Sequence, residues 1–275
     1  MNHKEIKTGR NLPLATLVSF VLALTVAVSL WFDRWFFACV VVVVSYLAMR
    51  EVFRLLDVED SWVQYLLLGV AVALPIITYA QGISTLVAML LPIIFVGAVV
   101  SLRRGFTDFT HRFGSILLSV LYVPVLLGFM VDMARFENGF ALVFSLALLN
   151  SAVDTGGYFA GILFGKRSLF KELSPKKTIE GLFGSFVLTL LVAVGLVSLL
   201  LPLTLWQCVM AAISAVVFGV VGDLFESALK RERGVKDASH VIPGHGGVLD
   251  RIDALLFNAP LVWFLFLYVF EVGVM

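Results

Sequence analysis

The stretch Asp223–Asp253, DLFESALKRERGVKDASHVIPGHGGVLDRID, is the most polar part of a chain that is otherwise mostly apolar. It carries acids and bases near both of its ends, together with two histidines and four glycines. Apolar helices do not need such a concentration of charge to pack against one another. We therefore interpret this stretch as the place where chemistry happens, and the long apolar runs around it as its scaffold.

The composition predicts an integral membrane protein with several spans. Of the 275 residues, 60% are hydrophobic and only 14% are charged, whereas a soluble domain usually carries about 25% charged residues. The mean hydropathy of +1.02 points the same way. A soluble globular domain is excluded. The near-neutral net charge identifies no partner by itself, and we expect membrane lipids rather than nucleic acid around this chain.

The apolar runs predict an all-α fold with about nine transmembrane helices, because a bilayer core requires about 20 apolar residues per helix. The first run follows a basic start and is expected to be a signal-anchor helix rather than a cleaved signal peptide. The second is short and is expected to extend to Arg50 or beyond. The nine predicted spans are Leu12–Trp31, Trp35–Ala48, Trp62–Ala80, Ser84–Val100, Ile116–Met133, Phe140–Leu163, Leu182–Leu201, Leu205–Val221 and Leu255–Val274.

The positions of the basic residues predict a cytoplasmic N-terminus. With nine spans, all 20 Lys and Arg residues except Arg34 and Arg135 fall in inner segments, as the positive-inside rule requires. Both polar clusters of the chain then face the cytoplasm. We expect residues 1–139 to be a scaffold of transmembrane helices and residues 140–275 to be the catalytic region.

A first polar cluster spans Asn150–Gly184. Asp154 shares one helix face with Gly157 and Gly161. Placing an acid in an apolar membrane helix is energetically unfavourable, so Asp154 is expected to face the bundle interior or a water-filled cavity. The alternative is a structural hydrogen bond from Asp154 to another span. The glycines are interpreted as small residues that let a neighbouring helix approach closely.

The segment Ser174-Pro175-Lys176-Lys177-Thr178 follows that helix. Because Pro175 interrupts regular structure, the lysines are predicted to lie on a loop that leads into the seventh span. They could simply anchor the chain at the inner membrane face. They could also form a phosphate site, in which two point charges lie beside the N–H groups of a helix N-terminus.

The second polar cluster begins at the end of the eighth span. Asp223, Ser227 and Lys230 are predicted to share one helix face, with Glu226 beside them. Asp250 and Asp253 share a face at the start of the ninth span, where acids also favour the helix dipole. The dipole alone would explain those two acids, but it does not explain Asp223.

Carboxylates from two helices, beside several cations and a glycine-rich loop, suit Mg²⁺ bound together with substrate phosphates. Basic side chains would neutralise the remaining phosphate charge. The run Pro243-Gly-His245-Gly246-Gly247 allows the backbone to approach a ligand closely. His245 could act as an acid or base, and we favour a role as a positioning donor.

These residues resemble the signature of the phosphatidate cytidylyltransferases, or CDP-diacylglycerol synthases. The resemblance lies in Ser227-Ala-Leu-Lys230-Arg231, Lys236-Asp237-Ala-Ser239 and Ile242-Pro243-Gly-His245-Gly246-Gly247-Val-Leu-Asp250-Arg251-Ile-Asp253. The upstream run from Asp154 to Gly184 is also similar to that family, with Gly157 where Ala is expected. The resemblance covers roughly the C-terminal half of the chain.

The resemblance implies that CTP and phosphatidate react to give CDP-diacylglycerol and pyrophosphate. It also implies a polytopic, dimeric protein of the cell membrane, with Mg²⁺ held by Asp223 and Asp250 and a monovalent cation such as K⁺ nearby. The remaining residues expected at the active site are Lys230, Arg251, His245, Lys236 and Asp237. The residues expected to contact substrate or phosphate are Asp154, Ser174, Lys176, Lys177, Thr178, Ser227, Arg231, Gly246 and Gly247.

Two other functions remain open at the level of the sequence. A CTP-dependent kinase of a polyprenol or phytol would share the nucleotide site but release CDP instead of pyrophosphate. A transporter would use Asp154 and Asp223 as an intramembrane relay, although the polar groups cluster on one side of the membrane. A CDP-alcohol phosphotransferase would need a dense array of Asp residues along one helix, which the sequence lacks.

Overall fold

The computed structural model describes residue 21 and residues 24–170, 173–239, 241 and 246–272. Among these residues, eight helices are long and apolar enough to cross a membrane. We number them α1 to α8. Their bounds are Arg34–Leu55, Ser61–Gln81, Ser84–Arg103, Phe109–Arg135, Gly139–Phe164, Ile179–Leu200, Leu205–Glu232 and Leu249–Val269.

The eight helices correspond to the second to ninth predicted spans, so the all-α membrane fold is confirmed. The first predicted span, Leu12–Trp31, lies mostly outside the described residues, although residues 24–32 are helical. The count of nine and the orientation therefore stay predictions. Three helices contain one π-helical turn each, at Leu121–Val125, Ala193–Val197 and Leu265–Val269.

Several helices extend beyond the apolar runs that predicted them. α1 continues to Leu55, as expected for the short second span. α7 continues through the polar residues to Glu232, where Lys230 pairs with Glu226 one turn earlier at 2.7 Å. α8 begins at Leu249 rather than Leu255; hydropathy missed this start because the first turn of the helix carries Asp250 and is not apolar. The charged residues at these ends therefore belong to the helices.

The segment between α5 and α6 forms a small hairpin. β1 (Ser168–Phe170) pairs antiparallel with β2 (Ser174–Thr178), with Ser168 opposite Thr178 and Phe170 opposite Ser174. The prediction of a loop for the lysine segment was therefore wrong, because proline is tolerated in an edge strand. Thr178 then caps α6 by accepting a hydrogen bond from the Gly181 N–H at 3.0 Å.

Small residues bring the helices around the polar region close together. A Cβ atom added to Gly156 of α5 would lie 2.6 Å from the carbonyl oxygen of Gly184 in α6. A Cβ added to Gly157 would lie 2.7 Å from Ser185 Oγ, also in α6. The predicted packing role of the α5 glycines is confirmed for Gly157. In the same way, a Cβ on Gly222 of α7 would lie 2.5 Å from the Asp253 carbonyl oxygen of α8.

Candidate active site

Three carboxylates meet where α7 and α8 touch. Asp223 and Glu226 lie one turn apart on α7, and Asp253 faces them from α8; one oxygen of each lies within 4.8 Å of the others. The close approach of the two helices at Gly222 makes this meeting possible. Glu226 is 1% exposed, and among the described residues its Oε1 has no hydrogen-bond partner. Grouped carboxylate oxygens with such an orphaned atom could hold a metal ion.

Lys230 connects this acidic cluster to Asp250. Its Nζ donates to Glu226 Oε2 at 2.7 Å and to Asp250 Oδ1 at 2.6 Å. The other oxygen of Asp250 accepts hydrogen bonds from the backbone N–H groups of Gly247, at 2.7 Å, and Ala238, at 3.1 Å. Asp250 thus belongs to the same polar centre but is held by a lysine and two backbone donors.

The structure therefore groups the predicted metal ligand Asp223 with Glu226 and Asp253 instead of Asp250. Sequence reasoning placed Glu226 beside Asp223 and gave the helix dipole as a sufficient explanation for Asp253, without naming either as a ligand. The signal was present in the spacing, since both acids lie three residues after a predicted ligand and so share its helix face. The pairing of Asp223 with Asp250 around one ion stays a prediction.

The hairpin brings the first sequence cluster to this centre. Lys177 of β2 forms an ion pair with Asp223 of α7. Ser227, one turn after Asp223, donates a hydrogen bond to the same carboxylate at 3.4 Å. The two polar clusters, which residues 185–222 separate in the sequence, therefore meet in one place.

A cavity of about 300 Å³ opens beside Asp223, between α5, the hairpin, α6 and α7. Asp154 faces this cavity, in agreement with the expectation of a wet environment for an acid in an apolar helix. The predicted site residues along its wall are Asp154, Ser174, Lys176, Lys177, Thr178 and Asp223. A cavity with two lysines and two carboxylates can accept a phosphate-bearing ligand together with a cation.

The remaining predicted residues lie around the segment between α7 and α8. Arg251, Arg231 and Lys236 are exposed. Among the described residues, the one side-chain hydrogen bond of Arg231 goes to the Val235 carbonyl oxygen, at 3.5 Å. Asp237 is half-buried beside Gly246. Gly246 has a φ of +83°, which favours glycine. His245 lies outside the described residues, so its role stays a prediction.

One residue of the polar region comes from the half of the chain that we predicted to be scaffold. Glu51 of α1 is buried and accepts hydrogen bonds from Ser239, Val248 and Leu249, around the start of α8. Sequence reasoning did not single it out. The argument applied to Asp154, that an acid in an apolar helix has a function, would have found it.

Comparison with known proteins identifies the family of this chain. Residues 14–269 match the family model described as "Cytidylyltransferase family". The chain belongs to this family. The match runs from before α1 to the end of α8, so both the helices predicted as scaffold and the acidic centre belong to the family fold.

Several relatives of this cytidylyltransferase-family chain are named phosphatidate cytidylyltransferase. The chain is 34% identical to the protein of Bacillus subtilis over 189 residues, which are 68% of this chain and 70% of that protein. It is 40% identical to the protein of Staphylococcus haemolyticus over 147 residues, 53% of this chain and 56% of that protein. With the protein of Mycobacterium tuberculosis (strain H37Rv), 36% identity extends over 143 residues, 52% of this chain and 44% of that protein. The family resemblance expected from the sequence is confirmed.

Proposed function

We propose that this multi-pass membrane protein is a nucleotidyltransferase that transfers the cytidylyl group of CTP to phosphatidate, giving CDP-diacylglycerol and pyrophosphate for phospholipid biosynthesis. The observation that carries the proposal is the ion pair between Lys177 and Asp223. It joins the hairpin with its lysines to the three-carboxylate centre, beside a cavity within the helix bundle. The names of the relatives support the same activity.

The chemistry requires two anionic groups to meet. A phosphate oxygen of phosphatidate forms a bond to the α-phosphorus of CTP, and the bond from that phosphorus to the oxygen bridging to the β-phosphorus breaks, so that pyrophosphate leaves. The attacking group is already an anion, and no strong base is needed. Charge neutralisation and positioning therefore account for most of the catalysis. Lys176 and Lys177 on the cavity wall are suited to neutralise phosphate oxygens.

The acidic cluster fits a hard divalent cation. Asp223, Glu226 and Asp253 would hold Mg²⁺, and Glu226 contributes the unpartnered buried oxygen. When bound, Mg²⁺ supplies charge stabilisation and orientation to the substrate phosphates. Asp250, also predicted as a ligand, accepts a hydrogen bond from Lys230, which lies between it and Glu226. A second cation such as K⁺ is implied only by the family resemblance.

We further propose that the protein resides in the cell membrane with its N-terminus and active site on the cytoplasmic side. The positive-inside distribution of Lys and Arg supports this orientation. The acyl chains of phosphatidate would stay in the bilayer while its head group enters the cavity beside Asp154. The homodimer, the division at residue 139, the contacts of Arg251 and Arg231 with phosphate, and the supporting roles of Lys236 and Asp237 belong to the same proposal.

The identity of the released by-product tests the reaction. Purified protein would be incubated with labelled CTP, phosphatidate and Mg²⁺, beside the variants Asp223→Asn and Asp250→Asn. We expect a labelled liponucleotide and pyrophosphate from the wild type, and very little of either from the variants. Release of CDP and a phosphorylated lipid when a polyprenol or phytol is supplied in place of phosphatidate would instead identify a lipid kinase. Ion movement in sealed vesicles without CTP would identify a transporter.

A further inference from the structure

Glu51 makes more contacts with the catalytic region than a scaffold residue requires. Its Oε1 accepts hydrogen bonds from Ser239 Oγ at 2.5 Å and from the Val248 N–H at 3.0 Å. Its Oε2 accepts one from the Leu249 N–H at 2.7 Å. Among the described residues, no Lys or Arg forms an ion pair with it. The carboxylate is thus satisfied by neutral donors of the catalytic region.

Two of these donors are the first N–H groups of α8. Val248 and Leu249 begin that helix, and its first N–H groups have no partner within the helix itself. A carboxylate at this point also favours the helix dipole. Asp250, the next residue, carries the contacts to Lys230 and Gly247. The orientation of Asp250 therefore depends on how α8 begins, which Glu51 determines.

The third donor lies on the other side of the glycine-rich run. Ser239 precedes residues 240–247 in the sequence, whereas Val248 and Leu249 follow them. One carboxylate from α1 thus holds both ends of this run. The end of α1 also holds the start of the segment after α7, because Arg233 Nε donates to the Leu55 carbonyl oxygen at 2.8 Å.

Gly247 makes the approach of Glu51 possible. A Cβ atom at residue 247 would lie 2.6 Å from Glu51 Oε2. Any larger side chain there would displace the carboxylate or the backbone. The structure thus gives Gly247 a packing role against Glu51, and its expected contact with phosphate stays a prediction.

Burying a carboxylate without a cationic partner lowers the stability of the fold, and an apolar side chain at this position of α1 would pack without that loss. A function in positioning the catalytic region accounts for it. We propose that Glu51 is a positioning residue for cytidylyl transfer, whose carboxylate fixes residues 239 and 248–249 and so presents Asp250 to Lys230. This inference rests on the proposed function and extends it to α1.

The variant Glu51→Gln tests the inference in the full-length protein reconstituted in lipid nanodiscs. An amide keeps the size of the side chain but places an N–H₂ group against a backbone or hydroxyl donor, so at least one of the three hydrogen bonds is lost. We expect kcat to fall by about 10- to 100-fold, as for other residues that orient functional groups, with little change in the KM for phosphatidate. Trypsin should also cleave after Arg231, Arg233 or Lys236 faster than in the wild type.

Asp132→Asn is the matched control. Asp132 is also a buried acid of a membrane helix, and it accepts hydrogen bonds from the Ile83 N–H, Arg135 and Trp263 of α8, at the opposite end of the bundle. Its loss should lower thermal stability but leave kcat and the tryptic pattern close to those of the wild type. Ser239→Ala removes only the hydrogen bond from the hydroxyl and should give a smaller fall in kcat than Glu51→Gln. It replaces Glu51→Gln as the test if that variant does not fold.

The inference is overturned if Glu51→Gln and Ser239→Ala keep the wild-type kcat and cleavage rate. It is also overturned if Asp132→Asn changes both quantities as much as Glu51→Gln does, since Glu51 would then only stabilise the bundle. Failure of the proposed function is a separate result, because it would show as absence of cytidylyl transfer in the wild type. Even then, the cleavage rates would still report whether Glu51 fixes the segment after α7.

Discussion

The carboxylates of Asp223, Glu226 and Asp253 lie within 4.8 Å of one another in a bundle that is otherwise mostly apolar. Like charges so close together repel one another unless cations compensate them. Lys177 pairs with Asp223, and Lys230 pairs with Glu226. Asp253 has no such partner among the described residues; its Oδ1 accepts only the N–H of Ala254, at 2.8 Å. A bound divalent cation would complete the compensation.

Mg²⁺ should therefore stabilise the folded protein, and the variants Glu226→Gln and Asp253→Asn should lose that effect. A ligand that binds only the native state raises its stability in proportion to the logarithm of its concentration over Kd. Without Mg²⁺, Asp253→Asn should unfold at the wild-type temperature or above, because a repulsion has been removed, whereas Glu226→Gln should unfold at a lower temperature than Asp253→Asn because it also loses the ion pair with Lys230. Thermal unfolding in detergent with and without Mg²⁺ measures both effects. A full Mg²⁺-induced shift in both variants would exclude the cluster as the metal site.

A second prediction at the residue scale concerns Gly246. Its φ of +83° is strained for an L side chain, and a Cβ there would lie 2.8 Å from Asp250 Oδ2. Gly246→Ala should cost about 1 kcal/mol or more in backbone strain and should also lower the cytidylyl transfer rate by displacing Asp250.

Gly234→Ala is the control for the strain alone. Gly234 has a φ of +67°, but a Cβ there would meet no atom within 4 Å. The two variants should therefore lose similar stability in chemical unfolding, and only Gly246→Ala should lose most of its activity. Equal activity in the two variants would show that the approach of Gly246 to Asp250 does not matter.

At the scale of the elements, the packing of α5 on α6 fixes the position of the hairpin and its lysines. The two helices approach through Gly156 and Gly184, and the hairpin connects their ends. Glu180 in the first turn of α6 accepts the N–H of Lys166 at 3.0 Å and so ties the start of the hairpin to α6. A change in the distance between α5 and α6 should therefore move Lys177 relative to Asp223.

Gly156→Ala tests this dependence. The added Cβ would lie 2.6 Å from the Gly184 carbonyl oxygen, and such overpacking costs about 1–3 kcal/mol. We expect a lower unfolding temperature together with reduced activity. Gly69→Ala in α2, where a Cβ would meet no atom within 4 Å, should instead keep or raise stability, since alanine is favoured in helices by about 1 kcal/mol. Equal stability of the two variants would contradict the close contact.

The elements could be predicted from the sequence only where hydropathy determines them. Each of the eight helices corresponds to an apolar run, because about 20 apolar residues are needed to cross a bilayer. Their polar ends could not be placed this way. α7 continues to Glu232 because Lys230 and Glu226 pair along it, and α8 begins at Leu249 because Glu51 from a distant helix accepts its first N–H groups. The hairpin was missed because Pro175 was taken as a break in regular structure.

At the scale of the whole molecule, polar groups gather at the two ends of the bundle. One end holds the acidic centre, the hairpin and the ion pair between Arg233 and Asp57, at 3.1 Å. The other end holds Arg34, which donates to the Arg135 carbonyl oxygen at 2.7 Å. The positive-inside rule predicts that the end with more Lys and Arg residues, which is the catalytic end, faces the cytoplasm.

Cysteine labelling from one side of the membrane tests that orientation. In a background without Cys39 and Cys208, the variants Glu137→Cys and Glu232→Cys place one exposed thiol at each end of the bundle. A membrane-impermeant maleimide should label Cys at residue 137 in intact right-side-out vesicles, and label Cys at residue 232 only after permeabilisation. The reverse pattern would show that the catalytic end faces outward.

The contacts between distant parts of the chain could be predicted only in part. The family signature and the lysine segment indicated that the two polar clusters form one site, and the ion pair between Lys177 and Asp223 agrees with this. A function for Glu51 could have been suspected from its place in an apolar helix, but its hydrogen-bond partners could not be predicted, because they lie 188 to 198 residues later and depend on the packing of the whole bundle. Which carboxylates lie within 4.8 Å of one another likewise depends on where α7 and α8 touch.

The most direct test of the acidic centre is the rate of cytidylyl transfer from labelled CTP to phosphatidate at saturating Mg²⁺, measured for Asp223→Asn, Glu226→Gln and Asp132→Asn in parallel. The first two variants should be slower than the wild type by about 100-fold or more, as when one group that stabilises transition-state charge is removed. Asp132→Asn, a buried acid at the other end of the bundle, should remain within a few-fold of the wild type. Rapid transfer by Asp223→Asn and Glu226→Gln would contradict the account.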